Sequence, residues 1–160
     1  MGSDSDMPIV QKAINTLQDL SIPFEVHIYS AHRTPNEAHD FAVNARKNGF
    51  GVIIAAAGMA AHLAGSLAAA TTLPVIGIPC TGLMPDGMDA LLSTVQMPPG
   101  IPVATVAVNG AVNAALLACQ ILSVEDSELA DKLDALRAQG AQKVLEKNAA
   151  VESQFNSTGR

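Results

Sequence analysis

Four short apolar runs, Phe24–Tyr29, Val52–Ala56, Val75–Ile78 and Val103–Val106, alternate along the chain with stretches whose apolar residues recur at helical spacing. This alternation is the strongest constraint on the fold. Short strands joined by helix-length connections lie parallel, with helices covering both faces of the sheet. The first helix is predicted after the Gly2–Asp6 loop, with Ile9, Val10, Ala13, Ile14 and Leu17 on one face and Pro23 as its stop. A second opens at Thr34-Pro35, carries Ala38, Phe41, Ala42 and Ala45, and closes near Gly49. Further helices are predicted over 60–70, 88–96 and 110–122, with a loop through Pro85-Asp86-Gly87 before the 88–96 helix. The expected class is α/β, a three-layer αβα arrangement around a doubly wound parallel sheet with right-handed crossovers. Ligands of such sheets collect outside the carboxyl ends of the strands.

Beyond the last alternating pair, Ser123-Val124-Glu125-Asp126 reads as a helix cap with acids in the first turn, and Leu129, Leu133, Leu136 and Val144 form an apolar stripe. This helix, expected over 124–147, has no sheet face of its own. Its stripe is expected to pack on a neighbouring subunit, or else to fold back on its own domain. Residues 1–147 are read as one domain and 148–160 as a flexible tail.

Composition narrows the partners. Of 160 residues 49% are hydrophobic, enough for a substantial core, while 3% are aromatic and none is Trp, which disfavours base stacking. The formal charge of −6 argues against nucleic acid, whose binding needs clustered cations. Before residue 131 the basic residues are Lys12, Arg33, Arg46 and Lys47, and Arg33 is the one placed on a predicted site loop. One Arg assisted by backbone N–H groups suits a ligand with a single phosphate. Cys80 and Cys119 sit far apart in apolar contexts, so reduced core thiols are expected, with no metal cluster. No signal-peptide pattern opens the chain and no apolar run is long enough for a membrane span, so the cytoplasm is the expected compartment.

Chemistry concentrates in three loops. Ser30-Ala31-His32-Arg33-Thr34-Pro35 puts a hydroxyl, an imidazole and a guanidinium within four residues at the end of a predicted strand. Strand alternation sends Ser30 and His32 to one side, leaving Arg33 to neutralise a phosphate. Gly2-Ser3-Asp4-Ser5-Asp6 offers hydroxyls and a helix start, a way to hold phosphate without Lys; taken alone it is equally a capped turn. Ser3 or Ser5 is expected on the phosphate side and Asp6 on ribose hydroxyls, because like charges repel. In Ala57-Gly58-Met59-Ala60-Ala61-His62-Leu63, His62 stands early in a helix, where an imidazolium is disfavoured, and is balanced between a buried structural ring and a ligand contact. His27 and His39 are read as a strand-face and a helix-surface residue. Cys80-Thr81-Gly82 has no neighbouring cation to activate its thiol. The P-loop, dinucleotide, nucleophile-elbow and zinc-peptidase signatures are all missing.

Taken together, these loops resemble the class I 5-(carboxyamino)imidazole ribonucleotide mutases of purine biosynthesis. The resemblance extends over residues 2–147 and includes Leu91-Leu92-Ser93-Thr94-Val95-Gln96-Met97-Pro98, Gly100-Ile101-Pro102-Val103-Ala104-Thr105 and Asn113-Ala114-Ala115-Leu116-Leu117-Ala118. It implies a flavodoxin-like strand order 2-1-3-4-5. It also implies a cofactor-free isomerase, using no metal, ATP or biotin, that moves a carboxyl group from the exocyclic nitrogen of aminoimidazole ribonucleotide to ring carbon 4 through carbon dioxide. His32 is then the proton shuttle, Ser3, Asp6 and Arg33 bind substrate, and Ser5 and Ser30 lie near its phosphate. Gly58, Met59, Ala60, Ala61, His62 and Leu63 line the base and carboxylate end, chiefly through backbone N–H groups. The resemblance further implies a homo-octamer. Ala64 stands where many members carry Pro. In the implied order the first strand is central, yet the chain opens at the loop that follows it. The expectation is therefore a natural start upstream of Met1, the alternative being a rearranged or swapped edge. Two other functions fit the same residues: a carboxylase taking free carbon dioxide, and a non-catalytic nucleotide sensor on the same fold.

Overall fold

The computed structural model describes residues 1–82, 84 and 86–156. The chain divides into two compact units, Met1–Leu122 and Ser123–Arg160. In the first unit, α1 (Met7–Asp19) and α2 (Pro35–Ala45) precede β1 (Ile53–Gly58), after which α3 (Leu63–Ala70), β2 (Val75–Cys80), α4 (Met88–Val95), β3 (Ala104–Thr105) and α5 (Ala111–Leu122) alternate. The strands are parallel in the order β1-β2-β3, with Ile53 opposite Val75, Gly58 opposite Cys80 and Ile76 opposite Ala104. β2 is buried along its whole length, as a continuous apolar run in a central parallel strand should be. α3 and α4 meet over Gly77: a Cβ there would lie 2.4 Å from Thr94 Cγ2 and 3.3 Å from Ala64 Cβ, so the missing side chain lets the helices pack down. α5 presents Ala111, Ala114, Ala115, Ala118 and Cys119 to the interior and packs on α1 and both longer strands. The predicted α/β class and doubly wound arrangement hold, with β1, β2 and β3 forming a three-stranded parallel sheet among the described residues.

The run Phe24–Tyr29, expected as a strand, is extended but belongs to no ladder. Its backbone bonds toward β1 run through Met1 and Gly2. The Met1 amine donates to the His27 carbonyl at 2.8 Å, Tyr29 N–H donates to the Met1 carbonyl at 3.0 Å, and Gly2 N–H donates to the Ala56 carbonyl at 3.0 Å. These are strand-like bonds at the carboxyl end of the run. Further down, Phe24, Val26 and Ile28 are 36%, 41% and 51% exposed. The segment is held from one face instead, where His27 and Tyr29 stack at 5.2 Å and both rings lean on Phe41 of α2.

Other expected boundaries shift. The 60–70 helix begins at Leu63, because residues 59–62 form tight turns, and the strand expected over 103–106 is reduced to Ala104–Thr105. Of the Pro85-Asp86-Gly87 loop, Pro85 lies outside the described residues, while Gly87 takes the left-handed conformation (φ 67°) that caps α4.

The second unit is α6 (Ser127–Phe155). Its cap is Asp126 rather than Ser123: the carboxylate accepts from Leu129 N–H at 3.0 Å. The helix runs past the expected end at 147, through the helix-compatible Ala149-Ala150-Val151-Glu152, to Phe155. Of the tail expected over 148–160, residues 157–160 lie outside the described residues. No helix among the described residues is long and apolar enough to cross a membrane.

Candidate active site

The three chemistry-bearing loops converge at the carboxyl ends of β1 and of the extended Phe24–Tyr29 segment. The middle loop links the other two. His32 Nε2 lies 2.9 Å from His62 Nδ1, and Arg33 Nη2 donates to the Gly2 carbonyl at 3.4 Å. Residues about thirty apart in sequence thus meet because β1 and the Met1–Gly2 segment lie side by side.

Each loop is braced locally. Ser30 Oγ accepts from the N–H groups of His32 (3.3 Å) and Arg33 (3.1 Å), which sets the direction of both side chains and leaves the hydroxyl proton to donate elsewhere. Thr34 Oγ1 accepts from Ser30 N–H at 2.8 Å, a brace that the sequence reading passed over; its signal was the Ser30…Thr34 spacing ahead of Pro35. In the amino-terminal turn, Ser3 caps the 3₁₀ turn Asp4–Asp6: its Oγ accepts from Ser5 N–H (3.3 Å) and from Ser5 Oγ (2.9 Å), and donates to Asp4 Oδ1 (3.1 Å). Two hydroxyls therefore sit together where α1 begins.

Asp6 is buried, 8% exposed. Burial holds its carboxyl above the usual carboxylate range, against the lowering effects of a Ser3 backbone hydrogen bond and the Met1 amine; Asp4 adds to the rise. A desolvated carboxylate is a strong acceptor for ligand hydroxyls and a poor neighbour for phosphate.

In the third loop, Gly58 ends β1 against the Cys80 carbonyl, which a Cβ would approach to 3.0 Å. Met59 takes a left-handed conformation (φ 55°) that turns the chain sharply. Ala61 N–H donates to the Met59 carbonyl (2.9 Å) and His62 N–H to the Ala60 carbonyl (2.8 Å), so both are engaged in the turn. The first-turn N–H groups of α3, beginning with Leu63, have no acceptor within the helix. The Leu63 and Ala61 side chains are buried, 3% and 1% exposed, Leu63 within the core cluster, whereas Ala60 and His62 are exposed. His62 is therefore not a buried structural ring.

Behind the site, Asn109, in a left-handed conformation (φ 57°), clasps the chain leaving β2: its Oδ1 accepts from Thr81 N–H at 3.0 Å and its Nδ2 donates to Thr81 Oγ1 at 3.1 Å. The dipeptide Asn109-Gly110 was the available signal for this turn. Cys80 is fully buried, and burial pushes its thiol up to about 12, which removes it as a nucleophile. A groove of about 880 Å³, lined by Arg46, Thr71, Thr72 and Ile101 among others, lies at the amino ends of β2 and β3, away from this chemistry.

A parallel α/β domain with a hydroxyl-rich turn, one guanidinium and a paired imidazole at the strand carboxyl ends defines an enzyme of the nucleotide-binding α/β type that handles an anionic small molecule. The chain belongs to the AIR carboxylase family, whose model matches residues 1–143. It is 53% identical to the N5-carboxyaminoimidazole ribonucleotide mutase of Bacillus subtilis over 91% of both chains, and 53% identical to that of Pyrococcus abyssi over 86% of this chain and 79% of the relative. It is also 50% identical to the phosphoribosylaminoimidazole carboxylase of Saccharomyces cerevisiae, over 96% of this chain but 27% of that longer protein. Among solved structures, Treponema denticola PurE superposes with a TM-score of 0.81 at 29% identity, covering 97% of this chain and 94% of that one.

Proposed function

We propose that this enzyme is a mutase of purine biosynthesis that converts 5-(carboxyamino)imidazole ribonucleotide to 5-amino-1-(5-phospho-D-ribosyl)imidazole-4-carboxylate, with His32 as the proton carrier. The observation that carries the assignment of roles is that the loops bearing His32 and Arg33 meet His62 and the amino-terminal turn with Ser3 and Ser5. Arg33 with Ser3, Ser5 and Ser30 takes the phosphate, Asp6 the ribose hydroxyls, and Gly58, Ala60, Ala61, His62 and Leu63 frame the base and its carboxylate.

The reaction balances within the site. The bond from the exocyclic nitrogen to the carboxyl carbon breaks and its electron pair stays on nitrogen, which takes a proton from His32; carbon dioxide remains beside the base. Ring carbon 4 attacks that carbon dioxide, and the proton on carbon 4 returns to His32. A single imidazole serves both transfers because a ring nitrogen can give a proton and take one back.

Conversion of the N-carboxylated substrate in bicarbonate-depleted buffer tests the assignment. Turnover without added bicarbonate supports the mutase. A strict requirement for it supports direct carboxylation, the reading favoured by the name of the yeast relatives. His32→Asn should bind substrate and turn it over poorly, whereas a nucleotide sensor would have no turnover to lose. The compartment proposed is the cytoplasm and the assembly a homo-octamer, supported by the exposed Leu136, Val144, Leu145, Val151 and Phe155 of α6; sedimentation of the intact chain checks the subunit count.

A further inference from the structure

Two imidazole nitrogens at hydrogen-bond distance hold one proton between them. His32 Nε2 and His62 Nδ1 are 2.9 Å apart, with ring planes at 86° and centroids 5.2 Å apart, so one ring presents its edge to the other. Two N–H groups would collide there and two bare lone pairs would repel, which leaves one donor and one acceptor. His62 occupies the N-cap position of α3, at the positive end of the helix dipole. Of the two rings it is the worse host for a positive charge, so His32 is the ring that carries one when the pair takes up a proton. The donor is therefore His32 Nε2–H and the acceptor His62 Nδ1, which leaves His32 Nδ1 as the nitrogen free to exchange a proton with a ligand. Ser30 Oγ accepts from the His32 backbone N–H and so fixes the main chain from which the ring projects.

We propose that His62 is a positioning residue for His32, fixing its tautomer and orientation through this bond in addition to framing the carboxylate. The proposal rests on the acid–base role assigned to His32. A neutral acceptor suits a ring that must both surrender and recover a proton. Carboxylate partners orient an imidazole and also bind its positive charge; an imidazole acceptor orients the ring without a carboxylate's charge. Before the forward cycle His32 takes a proton from solvent at Nδ1, while Nε2–H stays on His62. Nδ1 gives that proton to the leaving nitrogen and recovers one when carbon 4 releases its own, so the bond to His62 is unchanged throughout.

The chain contains four histidines, so ¹⁵N-histidine labelling of the whole unliganded protein reads the tautomer directly. His32 should appear protonated at Nε2 and bare at Nδ1 in the parent. His62→Phe, at an exposed position, should give His32 as a tautomer mixture. His62→Asn, whose amide oxygen stands near the place of Nδ1, should restore the single form. In turnover, His62→Phe should lower kcat about ten- to a hundredfold with KM nearly unchanged, the scale of losing an orienting partner rather than the acid–base group itself, and His62→Asn should recover most of it. A parent His32 protonated at Nδ1, or a His32 tautomer unmoved by His62→Phe, overturns the proposal. A rise in KM with kcat intact does so too, since it makes His62 a ligand contact alone. The nuclear resonance result stands whether or not the protein proves to be a mutase, so the two readings fail separately.

Discussion

The Arg33 guanidinium donates to the carbonyl of Gly2 at 3.4 Å, which aims the one cation of the middle loop at the turn bearing Ser3 and Ser5. Charge and hydroxyls thereby lie close together, and the rest of the guanidinium fork can serve a phosphate. Arg33→Ala should raise KM about ten- to a hundredfold, the equivalent of the roughly 1.5–3 kcal/mol of a charged hydrogen bond, with kcat little changed. Arg33→Lys should recover only part of this, because an ammonium lacks the planar fork. Steady-state kinetics on both variants decide it; a fall in kcat with KM constant would place Arg33 in the chemical step.

Asp6 predicts opposite effects on stability and binding. Burial raises its pKa in the folded chain above the unfolded value, so the folded chain holds that proton more tightly. Stability therefore falls as pH climbs from the ordinary Asp value of about 3.9 through the raised one, and the penalty persists at higher pH. Asp6→Asn should melt higher than the parent at pH 7 and show no such advantage below about pH 4, while its KM rises. Thermal melts at both pH values check this, and a lower melting temperature for Asp6→Asn at pH 7 would refute it.

The small residue beneath α3 and α4 should tolerate no enlargement. Gly77→Ala drives a methyl into Thr94 Cγ2 and toward Val103 Cγ1, at 2.4 and 3.1 Å, and should cost about 1–3 kcal/mol. Ile76→Ala, at a fully buried position, should cost about 2–5 kcal/mol by opening a cavity. Ile28→Ala, half exposed, should cost distinctly less than Ile76→Ala. Urea unfolding of the three variants ranks them.

Neither thiol should react in the folded protein. Cys80 and Cys119 are both fully buried, and burial holds both pKa values up, that of Cys80 to about 12. A thiol reagent at pH 8 should label them only as fast as the structure opens, and both should become reactive together in denaturant. Rapid labelling of native Cys80 would contradict its burial.

The helix periodicities around Ala13, Ala38 and Ala114, the parallel strands Ile53–Gly58 and Val75–Cys80 and the loops carrying Ser3, His32 and His62 were legible in the chain because each depends on neighbours within a turn or two of backbone. Apolar spacing reports which face is buried, and Gly, Pro and Ser report where the chain bends. The end of α6 was misjudged because a polar composition hides a helix whose residues simply have adequate propensity. The occupied N–H groups of Ala61 and His62 were missed because a left-handed Met59 leaves no mark on composition.

Strand pairing and side-chain pairing are different in kind. Phe24–Tyr29 has the composition of a strand, yet its backbone bonds toward β1 run through Met1 and Gly2 and make no ladder among the described residues. The clasp of Asn109 on Thr81 and the contact of His32 with His62 join residues 28 and 30 positions apart. The amino-acid order alone therefore determined the class of fold and the chemical content of each loop, both carried by short-range dihedral and burial preferences. Which groups touch, and hence which nitrogen of His32 is free to carry a proton, was decided only when packing brought distant backbones side by side.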